Sequence, residues 1–169
     1  FSFYRNPSAD MLLEPAQIKK EWFQDAFALH FCSVSLGETP MKQAHKKAVE
    51  YALAAGNVIS FDPNLRFNLW ESKDDLRKAV LEFLPYAHVL KISDEELSFI
   101  TGIEEEEEAV KSLFTGNVSL VIYTEGEKGA KAYTQNLTVH ADGVKVKAVD
   151  TTGAGDAFIG SFLFNLDRR

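Results

Sequence analysis

The segment Asp150-Thr-Thr-Gly-Ala-Gly-Asp156 holds the chemistry most directly readable in this chain. Two glycines separated by one alanine precede an apolar stretch, Ala157–Leu166, that reads as a helix. Gly153 and Gly155 let the backbone turn without Cβ clashes. Several N–H groups can then point at one spot, where the helix dipole also favours negative charge. A phosphoryl group in transfer needs such a cradle, because its chemistry is catalysed mostly by positioning and charge stabilisation. Asp156 stands beside it, and a carboxylate there can take the proton of an attacking hydroxyl. The same spacing also suits a glycine-rich turn with an ordinary acidic first-turn residue, and spacing alone does not separate the two. Two better-known phosphate motifs are excluded. The chain has no GxxxxGK[ST], and Gly153, Gly155 and Gly160 form GxGxxxxG rather than GxGxxG.

The elements that must position this loop form a repeat of about thirty residues, as βαβ units do. Short apolar runs rich in β-formers occur at Ala28–Ser35, Asn57–Phe61, His88–Ile92 and Ser119–Tyr123. Being continuous rather than alternating, they fit strands buried on both faces. Helical periodicity fills the gaps. Thr39-Pro40 opens a helix with a stripe of Ala44, Ala48, Ala52 and Ala55, stopped by Gly56. Ser72 opens a second, with Leu76, Ala79, Val80, Phe83 and Leu84 on one face and Pro85 at its end. Ser93 opens a third that stops near Gly102, and Ser93 with Glu96 fits a capping box. Glu104–Glu108 reads as a solvated first helical turn. Ala130–Thr134 and Leu137–Ala141 around Gln135-Asn136 suggest a hairpin, and Val144, Val146 and Ala148 alternate with lysines like a half-exposed strand. In open α/β sheets ligands bind beyond the carboxyl ends of the strands. The residues to inspect are therefore Ser35, Asp62-Pro63-Asn64, Ser93–Glu96 and Thr124-Glu125-Gly126.

Composition narrows the function classes. A net charge of −7 argues against a nucleic-acid binder, whose footprint is a basic patch. One cysteine, Cys32, excludes an internal disulfide framework and reads as a buried core thiol. His30, His45, His88 and His140 lack ligand spacing. No run approaches the length of a membrane span, and Phe1–Tyr4 is too short for a signal peptide, so the cytoplasm is the default compartment. The length suits one domain, yet the chain starts at Phe1 and stops just after an apolar run, and both ends read as cut from something longer.

Asp150-Thr-Thr-Gly-Ala-Gly-Asp-Ala-Phe-Ile-Gly-Ser-Phe162 resembles the carboxy-terminal signature of the ribokinase-like (PfkB-type) carbohydrate kinases. Further stretches agree in order. FSFYRNPSADMLL at residues 1–13 and FDPNLR at 61–66 resemble the bacterial fructokinase subgroup. KISDEELSFITG at 91–102 resembles the segment with the family's NxxE motif, with Ser93 in place of Asn and Glu96 matching the Glu. Thr124-Glu-Gly-Glu-Lys-Gly129 fits TxGxxG.

The resemblance implies ATP-dependent phosphorylation of a sugar hydroxyl, fructose first, with Mg²⁺. It makes Asp156 the catalytic base and Gly153, Ala154 and Gly155 the anion hole. It assigns Thr124, Gly126 and Gly129 to ATP, Arg5 and Arg66 to the substrate, and Glu96 to Mg²⁺ through water. Asp150 and Thr152 match a monovalent-cation (K⁺) site of some members. The implied fold is α/β, a three-layer αβα sandwich with a mostly parallel Rossmann-like sheet. It is only part of the family's domain, with residues 1–6 as a lid strand and 28–169 as core. The partners implied are sugar and ATP, without nucleic acid or membrane, and a homodimer through the lid strand. Such kinases are roughly twice this long, and the amino-terminal Gly-Gly sugar signature is missing. Alternatives are a 2-keto-3-deoxygluconate kinase or another ribokinase-like kinase, and a truncated non-catalytic remnant or assembly module.

Overall fold

The computed structural model describes residue 5 and residues 7–168. The four apolar runs form β1 (Ala28–Cys32), β2 (Val58–Asp62), β3 (Val89–Ser93) and β4 (Leu120–Thr124). These are parallel neighbours in sequence order. β5 (Gly129–Tyr133) and β6 (Thr138–Asp142) follow antiparallel, so the sheet described has six strands, mostly parallel at its centre. β2, β3 and β4 each run one residue past the apolar stretch that predicted them, ending on Asp62, Ser93 and Thr124.

The crossover helices are α2 (Pro40–Ala54), α3 (Lys73–Phe83), and α4 (Asp94–Thr101) with α5 (Glu106–Ser112), after a one-turn α1 (Ala9–Leu12). A sheet whose parallel strands follow in order, joined by crossovers of one hand, sends every crossover helix to the same face. The boundaries follow local chemistry. The Ser72 hydroxyl accepts the Asp75 N–H (3.1 Å) at the start of α3, and Glu105 caps α5. Ser93 and Glu96 cap α4 reciprocally, and Gly102 ends it in the left-handed conformation.

The main core lies under these helices. Phe31, Ile59, Phe61, Leu90, Ile92, Val121 and Tyr123 from the strands meet Ala44, Val49, Leu76, Val80, Phe83, Leu97, Ile100 and Val110 from the helices. Phe31 stacks on Phe61 with ring centroids 4.8 Å apart. Each such large side chain, fully buried, contributes roughly 1.5–3 kcal/mol.

The opposite face is reached by α6 (Ala154–Asp167), entered from the β5–β6 hairpin. Ile159, with Phe162, Leu163 and Leu166 beside it, packs on Val58, Val89, Leu120 and Ile122, making the third layer.

Three expectations need correction. Residues 143–149 form no strand, and Val144 and Val146 are 82% and 77% exposed. Alternation makes a strand only where a neighbour supplies a ladder, and among the described residues β6 is already the sheet's last strand. Cys32 is half-buried rather than a core thiol, because it sits on the face opposite the main core. Ser33–Ser35 turns away as a 3₁₀ turn instead of prolonging β1. The lid strand predicted over residues 1–6 falls outside the described residues, Arg5 excepted. No described helix is long and apolar enough to cross a membrane.

Candidate active site

Side chains alternate along a strand. The residues between those of the main core therefore face α6. Near the strand starts they are apolar: Val58, Val89, Leu120 and Ile122. Toward the carboxyl ends they become His30, Cys32, Ser60, Asp62, Lys91 and Thr124. The amino end of α6 lies over this polar half, bringing Gly153, Gly155 and Asp156 to it.

Gly153 is the residue before α6 and holds φ at +75°, the left-handed region in which glycine carries no Cβ penalty. The first intrahelical bond runs from Ala157 N–H to the Gly153 carbonyl (2.8 Å), and Ala154 N–H goes to the Thr151 carbonyl (3.1 Å). The N–H groups of Gly155 and Asp156 belong to the first turn, where no intrahelical acceptor exists, so they remain available to an anion. Gly155 lacks a Cβ for a separate reason: one there would lie 3.3 Å from Lys91 Nζ.

Two cavities meet at this point. One, of about 290 Å³, is lined by Asp62, Asn64, Arg66, Lys91, Gly153 and Asp156. The other, of about 500 Å³, is lined by Thr124, Gly126, Gly129, Val144, Ala154 and Phe158. Lys91 and Gly155 line both. Asp156 is exposed at the mouth of the first.

Beneath the junction is a buried ion pair. Lys91 Nζ lies 3.0 Å from Asp62 Oδ2 and 3.3 Å from Oδ1, with the two side chains 10% and 3% exposed. Burial pushes the Asp62 carboxyl from 3.8 up to about 6, against the pull of Lys91. Burial likewise raises the Cys32 thiol and lowers His30, whose Nδ1 sits 2.9 Å from the Ser60 hydroxyl.

The loop after β2 is held from below. Glu96 is buried, and its two oxygens accept the N–H groups of Leu65 and Ser93, both at 2.9 Å. The Ser33 N–H donates to the Pro63 carbonyl (3.0 Å). Between these anchors Asn64 takes a positive φ of 48°, and Arg66 reaches the smaller cavity.

The structure thus brings Asp156, Gly153, Gly155 and Arg66 around the smaller cavity, and Thr124, Gly126, Gly129, Ala154 and Gly155 around the larger. Asp150 and Thr152 form an exposed turn in which Thr152 N–H donates to Asp150 Oδ1 (2.8 Å), holding that carboxyl below its usual range. Arg5 is apart from both cavities. It pairs with Asp10, donates to the Val34 carbonyl (3.0 Å), and lines a separate space of about 380 Å³ beside Trp70 and Lys42. Glu96 spends both oxygens on backbone donors, so part of its role is to brace the loop that carries Arg66.

The strand-end rule named Asp62 and Asn64 for inspection without giving them a role, and no reading singled out Lys91. The available signal was Lys91 itself, a cation inside an apolar run that otherwise suits a strand buried on both faces.

Comparison with known proteins places the chain among carbohydrate kinases. A family model described as pfkB family carbohydrate kinase matches residues 1–169. Probable fructokinase-4 of Arabidopsis thaliana is 46% identical over 164 residues, which cover 96% of this chain and 50% of that protein. The chain spans about half the length of the curated relatives it matches. Among solved structures, a Vibrio cholerae O395 fructokinase in its fructose-, ADP- and calcium-bound form aligns with a TM-score of 0.87 at 39% identity. That alignment covers 95% of this chain and 51% of the other. A double mutant of that enzyme, with fructose, ADP and potassium, gives 0.86 at 38% identity over 94% and 50% of the two chains. Aminoimidazole riboside kinase from Salmonella enterica, complexed with aminoimidazole riboside and an ATP analog, gives 0.89 at 30% identity over 100% and 56%.

Proposed function

This chain belongs to the pfkB carbohydrate kinase family, and from that membership we propose that the complete encoded protein transfers the γ-phosphoryl group of ATP to a sugar hydroxyl, fructose being the favoured acceptor. One observation carries the reading: two cavities, one sized for a sugar and one larger, join at a helix amino terminus with free N–H groups and a carboxylate alongside.

In this reading ATP occupies the space bounded by Thr124, Gly126 and Gly129, with its γ-phosphoryl over Gly155. The acceptor lies between Arg66 and Asp156. Its hydroxyl oxygen attacks phosphorus in line, the bond to the β–γ bridging oxygen breaks, and that electron pair leaves with ADP. Asp156 accepts the hydroxyl proton. The N–H groups of Gly155 and Asp156 bind the charge on the transferred oxygens, a contribution that typically reaches about 10²–10³ in rate per donor, whereas the Ala154 N–H, expected in the anion hole, is engaged by the Thr151 carbonyl.

Mg²⁺ suits the residues present. Mg²⁺ is commonly held by one or two carboxylates, water and substrate phosphates. Glu96 would hold it through water, and the ion would neutralise phosphate charge. Asp150 and Thr152 would contribute oxygens to a monovalent-cation shell on the exposed turn that leads into α6.

The test is a coupled assay of ADP release by the complete encoded protein, with fructose, 2-keto-3-deoxygluconate and aminoimidazole riboside as acceptors. Asp156→Asn should lower turnover by about 10²–10⁴ without moving the melting temperature, since Asp156 is exposed. Turnover left largely intact would remove Asp156 from this role, and faster reaction of the keto-acid would reassign the acceptor. A second reading rests on the chain's spanning about half the length of the curated relatives it matches. It holds that these 169 residues alone are a binding remnant. Isothermal titration of the isolated chain should then give weak ATP binding and no turnover.

A further inference from the structure

We propose that Lys131 is a positioning residue for nucleotide binding. Its ammonium, held by Glu106 of α5, fixes the Glu125 side chain and with it the backbone of the loop 124–129. The proposal rests on the kinase reading, which gives that loop to ATP, and adds residues that touch no ligand.

Three observations carry it. An ammonium has three donors, and Lys131 Nζ faces three carboxylate oxygens. These are Glu106 Oε1 at 2.7 Å, Glu106 Oε2 at 3.0 Å and Glu125 Oε2 at 3.4 Å. The Tyr133 hydroxyl also donates to Glu106, and the Tyr123 ring centre lies 5.5 Å from the ammonium. Second, Lys131 lies on the far side of the sheet from the nucleotide space. It shares a face of β5 with Tyr133, which joins the main core, whereas Ala130 lines the larger cavity. Any effect of Lys131 on a ligand there must pass through the loop. Third, Glu125 ties the loop together. Its N–H donates to the Gly129 carbonyl (2.9 Å), and its carbonyl accepts the Lys128 N–H (3.1 Å). Its neighbours Thr124 and Gly126, with Gly129, line the cavity.

The loop needs an anchor from outside itself. Gly126 and Gly129 hold φ at +58° and +114°, and glycine loses more conformational freedom on ordering than any other residue. Gly126, Glu127 and Lys128 are exposed, so the half-buried Glu125 side chain is the one that reaches the body of the protein. Without Lys131, the Glu106 and Glu125 carboxylates would face one spot and repel. Ion pairs at this degree of exposure add little to global stability. A loop that holds its binding conformation only part of the time, by contrast, lowers the apparent affinity of its ligand by that fraction. The contribution of Lys131 is therefore read in nucleotide affinity rather than in unfolding. No bond to phosphorus and no proton of the transfer passes through it.

The experiment uses the complete encoded protein with Lys131→Met, Lys131→Arg, Glu125→Gln and the double variant Lys131→Met/Glu125→Gln. Mg·ATP is the binding probe, by calorimetry without sugar, and each variant is also measured for melting temperature, kcat and both KM values. Lys131→Met should raise the Kd and KM of Mg·ATP about 5-fold. Sugar KM and kcat should stay within about 2-fold, and the melting temperature within about 2 °C. Lys131→Arg should restore Mg·ATP affinity. Glu125→Gln, which keeps size and removes charge, should weaken Mg·ATP less than Lys131→Met does. The double variant should be no weaker than Lys131→Met alone, because both changes cut one connection. An unchanged Mg·ATP Kd in Lys131→Met, an equal rise in both KM values, or single effects that multiply in the double variant would each overturn the proposal. So would a failure of the unmodified protein to bind Mg·ATP. Lys131-dependent Mg·ATP binding in a protein that phosphorylates no sugar would uphold it and remove the sugar-kinase reading instead.

Discussion

The two faces of the sheet use the same strands for opposite ends. On the face under α2–α5, Phe31, Ile59, Phe61, Leu90 and Ile92 are apolar along their whole length and buried. On the face under α6, the intervening residues change from Val58, Val89 and Leu120 to Ser60, Asp62 and Lys91 as the strands approach their carboxyl ends. Phe61 and Asp62 are consecutive and both buried, 0% and 2% exposed. One stabilises by leaving water; the other is buried at a cost and must be matched by a charge from the neighbouring strand. A backbone of period two lets one strand be core on one side and chemistry on the other.

Substitutions can break or sharpen that contrast. The largest effect belongs to the apolar face. Phe61→Ala should destabilise by about 3–5 kcal/mol, read as a shift in urea midpoint. A loss under about 1 kcal/mol would mean that this face is not the main source of stability.

Next comes the pH dependence of the polar face. The Asp62 carboxyl titrates near 6 when folded against 3.8 ordinarily, so the fold favours its neutral form. That contribution is complete below pH 3.8 and is lost as pH rises through about 6, a change of roughly 3 kcal/mol at most. The urea stability of the unmodified protein, relative to Asp62→Leu/Lys91→Met, should therefore fall between pH 4 and pH 7. A flat difference would mean that Asp62 is not desolvated. The carboxyl carbon shift of Asp62, followed by NMR, gives the midpoint directly.

Glu96 tests the link between the faces. Glu96→Gln keeps one side-chain acceptor and loses a charge-assisted bond, so it should cost about 1.5–3 kcal/mol and raise the KM of the acceptor by loosening the Arg66 loop. A change in KM for Mg·ATP alone, with stability untouched, would make Glu96 purely a metal-side residue.

The smallest stability effect is at Gly155. Alanine gains up to about 1 kcal/mol of helix propensity, offset by crowding at Lys91 Nζ, so stability should change by less than about 1 kcal/mol. Turnover should nevertheless fall by roughly 10²-fold, because small misplacements at a reacting centre are costly. Here the polar face would show function and stability moving independently, unlike Phe61.

Much of this architecture was legible residue by residue. The capping box of Ser93 and Glu96, the stop at Gly102 and the apolar face of α3 are decided within one or two helical turns, and the structure contains each. The glycine turn ahead of Asp156 was legible for the same reason: φ at Gly153 and the free first-turn N–H groups are local properties. The stretch 143–149 misled because alternation is local and a strand partner is not. Arg5 was matched to substrate by its motif, whereas its partners, Asp10 and the Val34 carbonyl, are five and twenty-nine positions away.

From the residues alone came the repeating strand–helix order, the helix ends and the glycine turn ahead of Asp156, since each depends on backbone preferences over a few neighbouring positions. Tertiary structure alone decided that Lys91 meets Asp62, that Glu96 braces the Arg66 loop, and that two cavities join at Gly155. Those facts depend on which strands become neighbours and on which side chains lose their water. Charge pairing across 29 positions of sequence has no local signature beyond one lysine set in an apolar run.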